Sequence, residues 1–196
     1  MSKPKVLFGT NNPHKLREIR EMLSSSYEVL SLADVGIHMD VEETEPTLEG
    51  NAILKAEAFA KVSGLACFSD DSGLEVDALD GAPGVISARY AGPGCTADDN
   101  IDKLLAELGQ ESNRQARFRS VIAFHENGQN ECFEGKIEGT ILFERQGDGG
   151  FGYDPIFLPE GYEISFAEFT SDDKNAISHR GIAVRKFVEY LLKRTT

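Results

Sequence analysis

The stretch Ala66–Leu79, ACFSDDSGLEVDAL, constrains the fold of this chain more than any other. An apolar run stops at two adjacent carboxylates, Asp70 and Asp71, and Ser72-Gly73 then precedes a period-two apolar pattern. This order predicts a strand, a sharp acidic turn and a second strand. Carboxylates at a strand end beside a glycine turn suit a divalent metal and a water. An ordinary polar hairpin tip would use the same residue types, so other stretches must decide between the two.

Composition limits the class of protein and its partners. The 196 residues, 40% hydrophobic and 27% charged, fit one soluble globular domain, 1–196, with room for two lobes. No apolar run approaches the roughly 20 residues needed to span a membrane, and no signal-peptide core is seen. Three cysteines, an odd count, favour a reduced cytoplasmic location. A net charge of −13 argues against non-specific nucleic-acid binding, so an anionic substrate would need local cations or a metal.

The N-terminal segment predicts an anion site. Lys5–Thr10 is a short strand candidate that leads to Asn12, a potential helix cap, and Pro13 at the first helical position. Unpaired N–H groups at such a helix start attract anions. Lys15 in the first turn opposes the helix dipole, which favours a ligand role over that of an ordinary surface lysine.

The next helix carries a lysine in an unusual position. Thr47 to Ser63 reads as a helix ended by Gly64, and Lys55 falls on its apolar stripe. A lysine on the core side of a helix is costly unless it is paired. The alternative is that only its aliphatic stem is buried. An acidic loop precedes this helix.

The second half of the chain reads as a helix followed by a β-ribbon. Thr96 predicts the cap of a helix that Gly109 ends. Gln115–Phe124 then alternates between apolar and polar residues, and Asn127-Gly128 is a strong hairpin signal before a further strand region.

A glycine-rich loop follows the ribbon. Gly147, Gly149 and Gly152 satisfy the dinucleotide pattern G-x-G-x-x-G, but a strand and not a helix comes next, so a Rossmann site is rejected. The segment Phe151–Asp154 instead offers an aromatic face and a carboxylate that could stack a base and read its edge. A tight turn with a buried phenylalanine is the structural alternative.

Two positive segments close the chain. Ser171 or Asp172 could cap a short helix that carries Lys174. Ser178 is a plain N-cap for the last helix, but His179 and Arg180 in its first turn run against the dipole. A histidine beside a permanently charged arginine suits a phosphate or a base edge.

Together these motifs resemble the inosine triphosphate pyrophosphatase family, hydrolases of non-standard purine nucleoside triphosphates. The matching stretches, in the family's order, are Thr10-Asn11-Asn12-Pro13-His14-Lys15, Glu42-Glu43-Thr44, Asn51–Lys55, Asp70–Leu74, Gly84–Arg89, Gly149–Pro155 and Ser178-His179-Arg180. The resemblance implies a two-lobed α/β fold, with a long curved mixed β-sheet flanked by helices and a cleft between the lobes. It also implies a homodimer, Mg²⁺ as cofactor, and hydrolysis of ITP, dITP and XTP to the monophosphate and pyrophosphate.

The resemblance also assigns roles to residues. Asp71 is implied as the general base and a metal ligand, with Glu43 as the second metal ligand and Asp70 in support. Triphosphate and other substrate contacts are implied for Thr10, Asn11, Asn12, Pro13, His14, Lys15, Lys55 and Ser72. Base contacts are implied for Phe151, Gly152, Tyr153, Asp154, Lys174, His179 and Arg180, with the Phe151 ring stacked on the purine.

Two other functions compete with this interpretation. A Maf-like pyrophosphatase would hydrolyse pyrimidine or modified nucleoside triphosphates, and a substrate panel separates it from the purine family. A non-catalytic nucleotide-binding module would not need the acidic residues Glu43, Asp70 and Asp71. The absence of G-x-x-x-x-G-K-[ST] argues against a P-loop enzyme.

Overall fold

The fold is a mixed six-stranded sheet flanked by helices. The computed structural model describes residues 3–194, apart from the side chains of His14 and Glu18. The strands are β1 Lys5–Phe8, β2 Glu28–Ser31, β3 Cys67–Val76, β4 Gln115–Glu126, β5 Gln129–Ile141 and β6 Phe157–Pro159. The helices are α1 Pro13–Leu23, α2 Leu48–Ser63, α3 Ala97–Leu108, α4 Ser171–Ile177 and α5 His179–Arg194.

The sheet has the strand order β2-β1-β3-β4-β5-β6. β1 pairs in parallel with β2 and with β3, whereas β5 and β6 are antiparallel. The predicted α/β class with a mixed sheet is therefore confirmed. Between residues 3 and 194, no helix is both long and apolar enough to cross a membrane.

The chain divides into two compact units. The first unit contains the described residues up to Asp71, together with Val121–Glu134 and the described residues from Ala183 onward. Its interior contains two groups of buried apolar side chains, one around Phe68 and Phe187 and one around Phe59. Phe68 stacks on Phe8, with ring centroids 4.4 Å apart. This packing fixes the strand that leads into the acidic pair.

The second unit contains Ser72–Ser120 and Gly135–Ile182. Its core combines apolar side chains of α3 with aromatic residues of the later chain, including Phe157 and Phe166. Phe118 on β4 contacts both of these rings, at centroid distances of 4.6 and 6.1 Å.

Local capping signals define the helix starts, as predicted. The backbone N–H of Lys15 donates to Asn12 Oδ1 at 3.3 Å at the start of α1. Thr47 caps α2, which ends at Gly64 in the left-handed conformation. Thr96 forms a capping box at α3. For α4 the predicted caps, Ser171 or Asp172, are wrong by one and two residues, because the N-cap is Thr170.

The acidic stretch itself differs from the prediction. β3 runs without interruption from Cys67 to Val76, so Asp70 and Asp71 lie within a strand and Ser72-Gly73 does not turn. The strand is almost wholly buried, which favours continued pairing. Gly73 is required for close packing, since a Cβ there would collide with the carbonyl oxygen of Gly84.

The ribbon and the glycine-rich loop agree with the sequence interpretation. Asn127 and Gly128, with φ of 53° and 77°, join β4 to β5. After Gly152 the chain forms a 3-10 helix at Asp154–Ile156 and enters β6. Within this described segment the G-x-G-x-x-G pattern leads to that single 3-10 turn and a strand and not to an α-helix, so the rejection of a Rossmann site is confirmed.

Candidate active site

The two carboxylates of β3 have different lysine partners. Lys15 Nζ of α1 lies 2.6 Å from Asp70 Oδ2, and Lys55 Nζ of α2 lies 3.1 Å from Asp71 Oδ1. Successive side chains of a strand point to opposite faces, which explains why neighbouring residues meet different helices. Both aspartates are buried, at 4% and 7% exposure. The pairing that the apolar stripe of α2 predicts for Lys55 is therefore confirmed.

Lys55 also brings in a third carboxylate. Its Nζ lies 2.7 Å from Glu43 Oε1, in the loop that precedes α2. Burial by itself lowers the pKa of Lys55, but the carboxylates of Asp71, Asp70 and Glu43 outweigh this and raise it. Lys55 is thus a charged ammonium that holds Glu43 and Asp71 on one nitrogen.

Asp71 is a buried carboxylate, and one of its oxygens has no hydrogen-bond partner among the described residues. The pKa of Asp71 is raised to about 6, mainly because the group is buried; Lys55 opposes this rise, and the carboxylates of Glu43 and Asp70 add to it. Its Oδ2 atom is buried and has no hydrogen-bond partner among the described residues. A buried carboxylate oxygen without a partner is costly. The oxygen is therefore a candidate to accept a proton or to bind a cation.

The donor set suits a hard cation that is only partly held by protein. Among the side chains that the structure describes, which exclude those of His14 and Glu18, no group of three or more His, Cys, Asp or Glu is arranged to hold a metal. Mg²⁺ uses one or two carboxylates, with water and substrate phosphates completing its shell. The carboxylate of Glu43 and Oδ2 of Asp71 fit that requirement.

Residues 10–15 form the helix-start segment beside these carboxylates. The backbone N–H of Asn12 donates to Thr10 Oγ1 at 3.2 Å, and Asn12 in turn caps α1. Asn11, Asn12 and Pro13 are exposed, as an anion site at a helix start would need. The predicted contact from His14 lies outside the described side chains.

In the second unit, Asp154 is the centre of a buried polar cluster. It is 2% exposed, and its Oδ2 accepts from the backbone N–H of Phe151 at 2.7 Å and from Lys174 Nζ at 2.5 Å. The carboxylate therefore fixes both the glycine-rich loop and the lysine of α4. The base-edge contact assigned to Asp154 stays a prediction.

The aromatic residue of this loop is exposed and lies close to two cations. Phe151 is 51% exposed, with Lys174 Nζ 4.3 Å and Arg180 Cζ 5.1 Å from its ring centroid. The structure thus excludes the alternative of a buried phenylalanine in a tight turn. His179 is buried and stacks on Phe118, with ring centroids 4.8 Å apart. Phe151 is therefore an exposed aromatic ring beside hydrogen-bond donors.

Two further predicted residues have partners in the second unit. Ser72 Oγ donates to Ser120 Oγ at 2.9 Å. Tyr153 is buried and its hydroxyl donates to the carbonyl oxygen of Ser87 at 2.8 Å, so its side chain ties the loop to the unit's core. Gly152 has φ of 61°, a conformation that favours glycine.

Sequence reasoning missed several polar residues that support these groups. Ser69 Oγ donates to the carbonyl oxygen of Gly9 at 2.7 Å and ties β3 to the end of β1. Ser120 is fully buried on β4. The signal was present there, since Ser120 is the one polar residue on the inward side of the Gln115–Phe124 alternation.

Comparison with known proteins shows what the chain as a whole is similar to. Residues 6–190 match the Ham1 family. The dITP/XTP pyrophosphatase of Porphyromonas gingivalis is 54% identical over 189 residues, which cover 96% of this chain and 97% of the relative. The dITP/XTP pyrophosphatase of Christiangramia forsetii is 50% identical and covers 96% of this chain and 100% of the relative.

A solved structure shows the same fold. The HAM1 protein of Coxiella burnetii superposes with a TM-score of 0.93 at 39% identity, covering 97% of this chain and 99% of that protein. Sequence, fold and the matched span thus agree with the resemblance drawn from the motifs. The chain belongs to the Ham1 family.

Proposed function

We propose that this chain hydrolyses the non-standard purine nucleoside triphosphates ITP, dITP and XTP to the monophosphate and pyrophosphate. The observation that carries the proposal is the buried Oδ2 of Asp71, which no described residue contacts by a hydrogen bond, on a carboxylate that Lys55 holds together with Glu43. The names of the two bacterial relatives, dITP/XTP pyrophosphatase, support the same substrates and reaction.

Asp71 is proposed as the general base. The oxygen of a water molecule bonds to the α-phosphorus while Asp71 accepts its proton, and the bond from that phosphorus to the bridging oxygen breaks. Pyrophosphate leaves with the electron pair. A carboxyl whose pKa is about 6 is a stronger base than an ordinary aspartate and is still ionised at neutral pH.

Positive charge for the phosphates comes from the chain and from a cation. Lys15 and Lys55 supply ammonium groups within an acidic protein, and the α1 start adds backbone donors. Glu43 and Asp71 would hold Mg²⁺, which, when bound, offsets the negative charge of the phosphate oxygens. Most catalysis of phosphoryl transfer consists of such positioning and charge stabilisation.

The second unit is proposed to recognise the base. Phe151 offers a stacking face, while Lys174, His179 and Arg180 are donors that suit the 6-keto oxygen of hypoxanthine or xanthine. Adenine carries an amino group there and would leave those donors unpaired, which a hydrogen-bonding site penalises strongly.

The remaining proposals are broader. Residues 1–196 are assigned to a single pyrophosphatase domain, which the family match over 6–190 supports. A homodimer is inherited from the family resemblance and is tested by light scattering on the purified protein. A cytoplasmic location and the lack of nucleic-acid binding are supported by three free cysteines and a net charge of −13.

A panel of nucleotides in ¹⁸O-labelled water tests the reaction. ITP, dITP, XTP, ATP, GTP and dTTP are incubated with Mg²⁺, and both products are analysed by mass spectrometry. Label in the monophosphate, with pyrophosphate released from ITP, dITP and XTP, is the expected result. Label in the pyrophosphate would refute attack at the α-phosphorus, and a preference for dTTP would support a Maf-like enzyme instead.

A further inference from the structure

The side chain of Asn51 forms a two-bond clamp on the loop before α2. Its Oδ1 accepts from the backbone N–H of Glu45 at 2.9 Å, and its Nδ2 donates to the carbonyl oxygen of the same residue at 3.2 Å. Asn51 is fully buried on α2. The oxygen and the nitrogen of the Asn51 amide therefore both bond to the backbone of one residue, Glu45.

The clamped residue lies between Glu43 and the start of the helix. Thr47, the N-cap, accepts from the backbone N–H of Gly50 at 3.0 Å, which fixes the other end of the short segment. A Cβ at Gly50 would lie 2.7 Å from Glu45 Cβ, so the glycine allows the loop to pack this closely. Residues 44–47 are exposed and pack little against the rest of the chain, so these backbone contacts hold the loop in position.

We propose that Asn51 is a positioning residue that holds Glu43 in place for the cation and for Lys55. The inference rests on the proposed role of Glu43 as a metal ligand. Only Thr44 lies between Glu43 and the clamped residue Glu45, and the carboxylate of Glu43 lies 2.7 Å from Lys55 Nζ. Groups that orient a metal ligand are worth about 10- to 100-fold in metal affinity or activity when they are removed.

Asn100 provides a matched control in the other unit. It is also buried on a helix, and its amide accepts from the backbone N–H of Ala91 at 2.7 Å and donates to the carbonyl oxygen of Ala88 at 3.3 Å. Asn100→Ala therefore removes the same kind of backbone clamp without touching the carboxylates of the first unit. It measures the general cost of losing such a clamp.

The test compares Asn51→Ala, Asn100→Ala, Glu43→Gln and the unaltered protein. Binding of Mn²⁺, used in place of Mg²⁺, is measured by electron paramagnetic resonance without nucleotide, and the Mg²⁺ concentration for half-maximal ITP turnover is measured separately. We expect Asn51→Ala to weaken Mn²⁺ binding by about tenfold and to raise the Mg²⁺ requirement similarly. Excess Mg²⁺ restores its turnover, whereas Asn100→Ala behaves like the unaltered protein in both assays.

The possible outcomes distinguish the proposed role of Asn51 from the proposed role of Glu43 as a metal ligand. If Glu43→Gln weakens Mn²⁺ binding but Asn51→Ala matches Asn100→Ala, the clamp proposal is wrong and the metal role of Glu43 stands. If Glu43→Gln changes neither measurement, Glu43 is not a metal ligand and both proposals fall. If Asn51→Ala does not fold, Gly50→Ala replaces it in the test. Its added methyl group displaces Glu45 while the side-chain amide of Asn51 remains. An unchanged Mn²⁺ affinity of Gly50→Ala overturns the proposal.

Discussion

Two buried carboxylates, Asp71 and Asp154, differ in what their oxygens contact. Asp71 uses Oδ1 on Lys55 and keeps Oδ2 without a partner among the described residues. Asp154 uses a single oxygen for both the Phe151 backbone and Lys174. Asp71 thus keeps a buried oxygen on which the proposed proton transfer relies, whereas the bonds of Asp154 hold a loop and a lysine in place. Their roles therefore differ although both are buried aspartates beside a lysine.

Asp71→Asn tests the proposed base. The substitution keeps the size of the side chain but removes the group that accepts a proton, so we expect kcat for ITP to fall by about 10²- to 10⁴-fold. Binding of ITP, measured by calorimetry, should remain largely intact. Asp80→Asn is the control, because this turn residue has φ of 51°, which asparagine tolerates. Near-normal turnover of Asp71→Asn would remove Asp71 from this role.

Asp154→Ala tests the buried pair of the second unit. It leaves Lys174, whose side chain is 12% exposed, without its carboxylate, and the Phe151 N–H without its acceptor. We expect a loss of about 3 kcal/mol in the free energy of unfolding, measured with urea, and a lower kcat/KM for ITP. Asp102→Ala removes an exposed pair with Arg145 and should cost less than about 1 kcal/mol. Equal losses would show that burial of the pair contributes nothing.

Among the secondary-structure elements, the helix ends were predictable because they depend on contacts between residues close in the sequence. Thr47, Gly64 and Thr96 mark helix ends through contacts with their own neighbours, and the structure confirms each of them. Lys55 was recognisable as a paired site residue because its position on an apolar stripe is costly otherwise.

Other features depend on residues distant in the sequence. Asp-Asp-Ser-Gly has the composition of a turn, but β3 continues because the carbonyl of Gly84 packs against Gly73 and because lysines of two helices pair with the aspartates. The clamp from Asn51 to Glu45 runs between a helix and a loop, so periodicity along the helix did not reveal it.

The cap of α3 provides a prediction at this scale. Thr96→Ala removes the hydroxyl that accepts from the Asp99 N–H, and we expect a loss of about 1 kcal/mol in the free energy of unfolding. The measurement is urea unfolding, and kcat for ITP should not change. Thr96→Ser retains the hydroxyl and serves as the control. A loss from the serine variant as large as that from alanine would contradict a capping role.

For the whole molecule, the excess of acidic residues means that binding of an anion depends on the charges close to its site. Twenty Lys and Arg residues face 33 Asp and Glu residues, so a triphosphate is repelled on average. Lys15 and Lys55 lie among buried carboxylates, where their interactions are screened less than those of exposed charges. Binding of an anionic nucleotide must therefore depend on specific contacts and not on the overall field.

Nucleotide-linked stability tests this at the molecular scale. In the Asp71→Asn variant, which should not consume its ligand, ITP at 100 times its Kd should stabilise the protein by about 2.7 kcal/mol. For a chain of this size that corresponds to a rise in Tm of about 5–10 °C, measured by scanning fluorimetry. ATP at the same concentration carries the same charge and should produce a much smaller shift. Equal shifts would show that the base is not recognised.

The position of the two aspartates inside β3 has an evolutionary consequence. A strand residue cannot shift without breaking its ladder, so the chemistry proposed for Asp71, with Asp70 in support, tolerates little displacement of either residue. The loop that presents Phe151 is exposed, rich in glycine and tied down at Asp154. With the proposed roles, a lineage that acquires a new base preference would change this loop and keep the strand, so that substrate range diverges while the reaction is inherited unaltered.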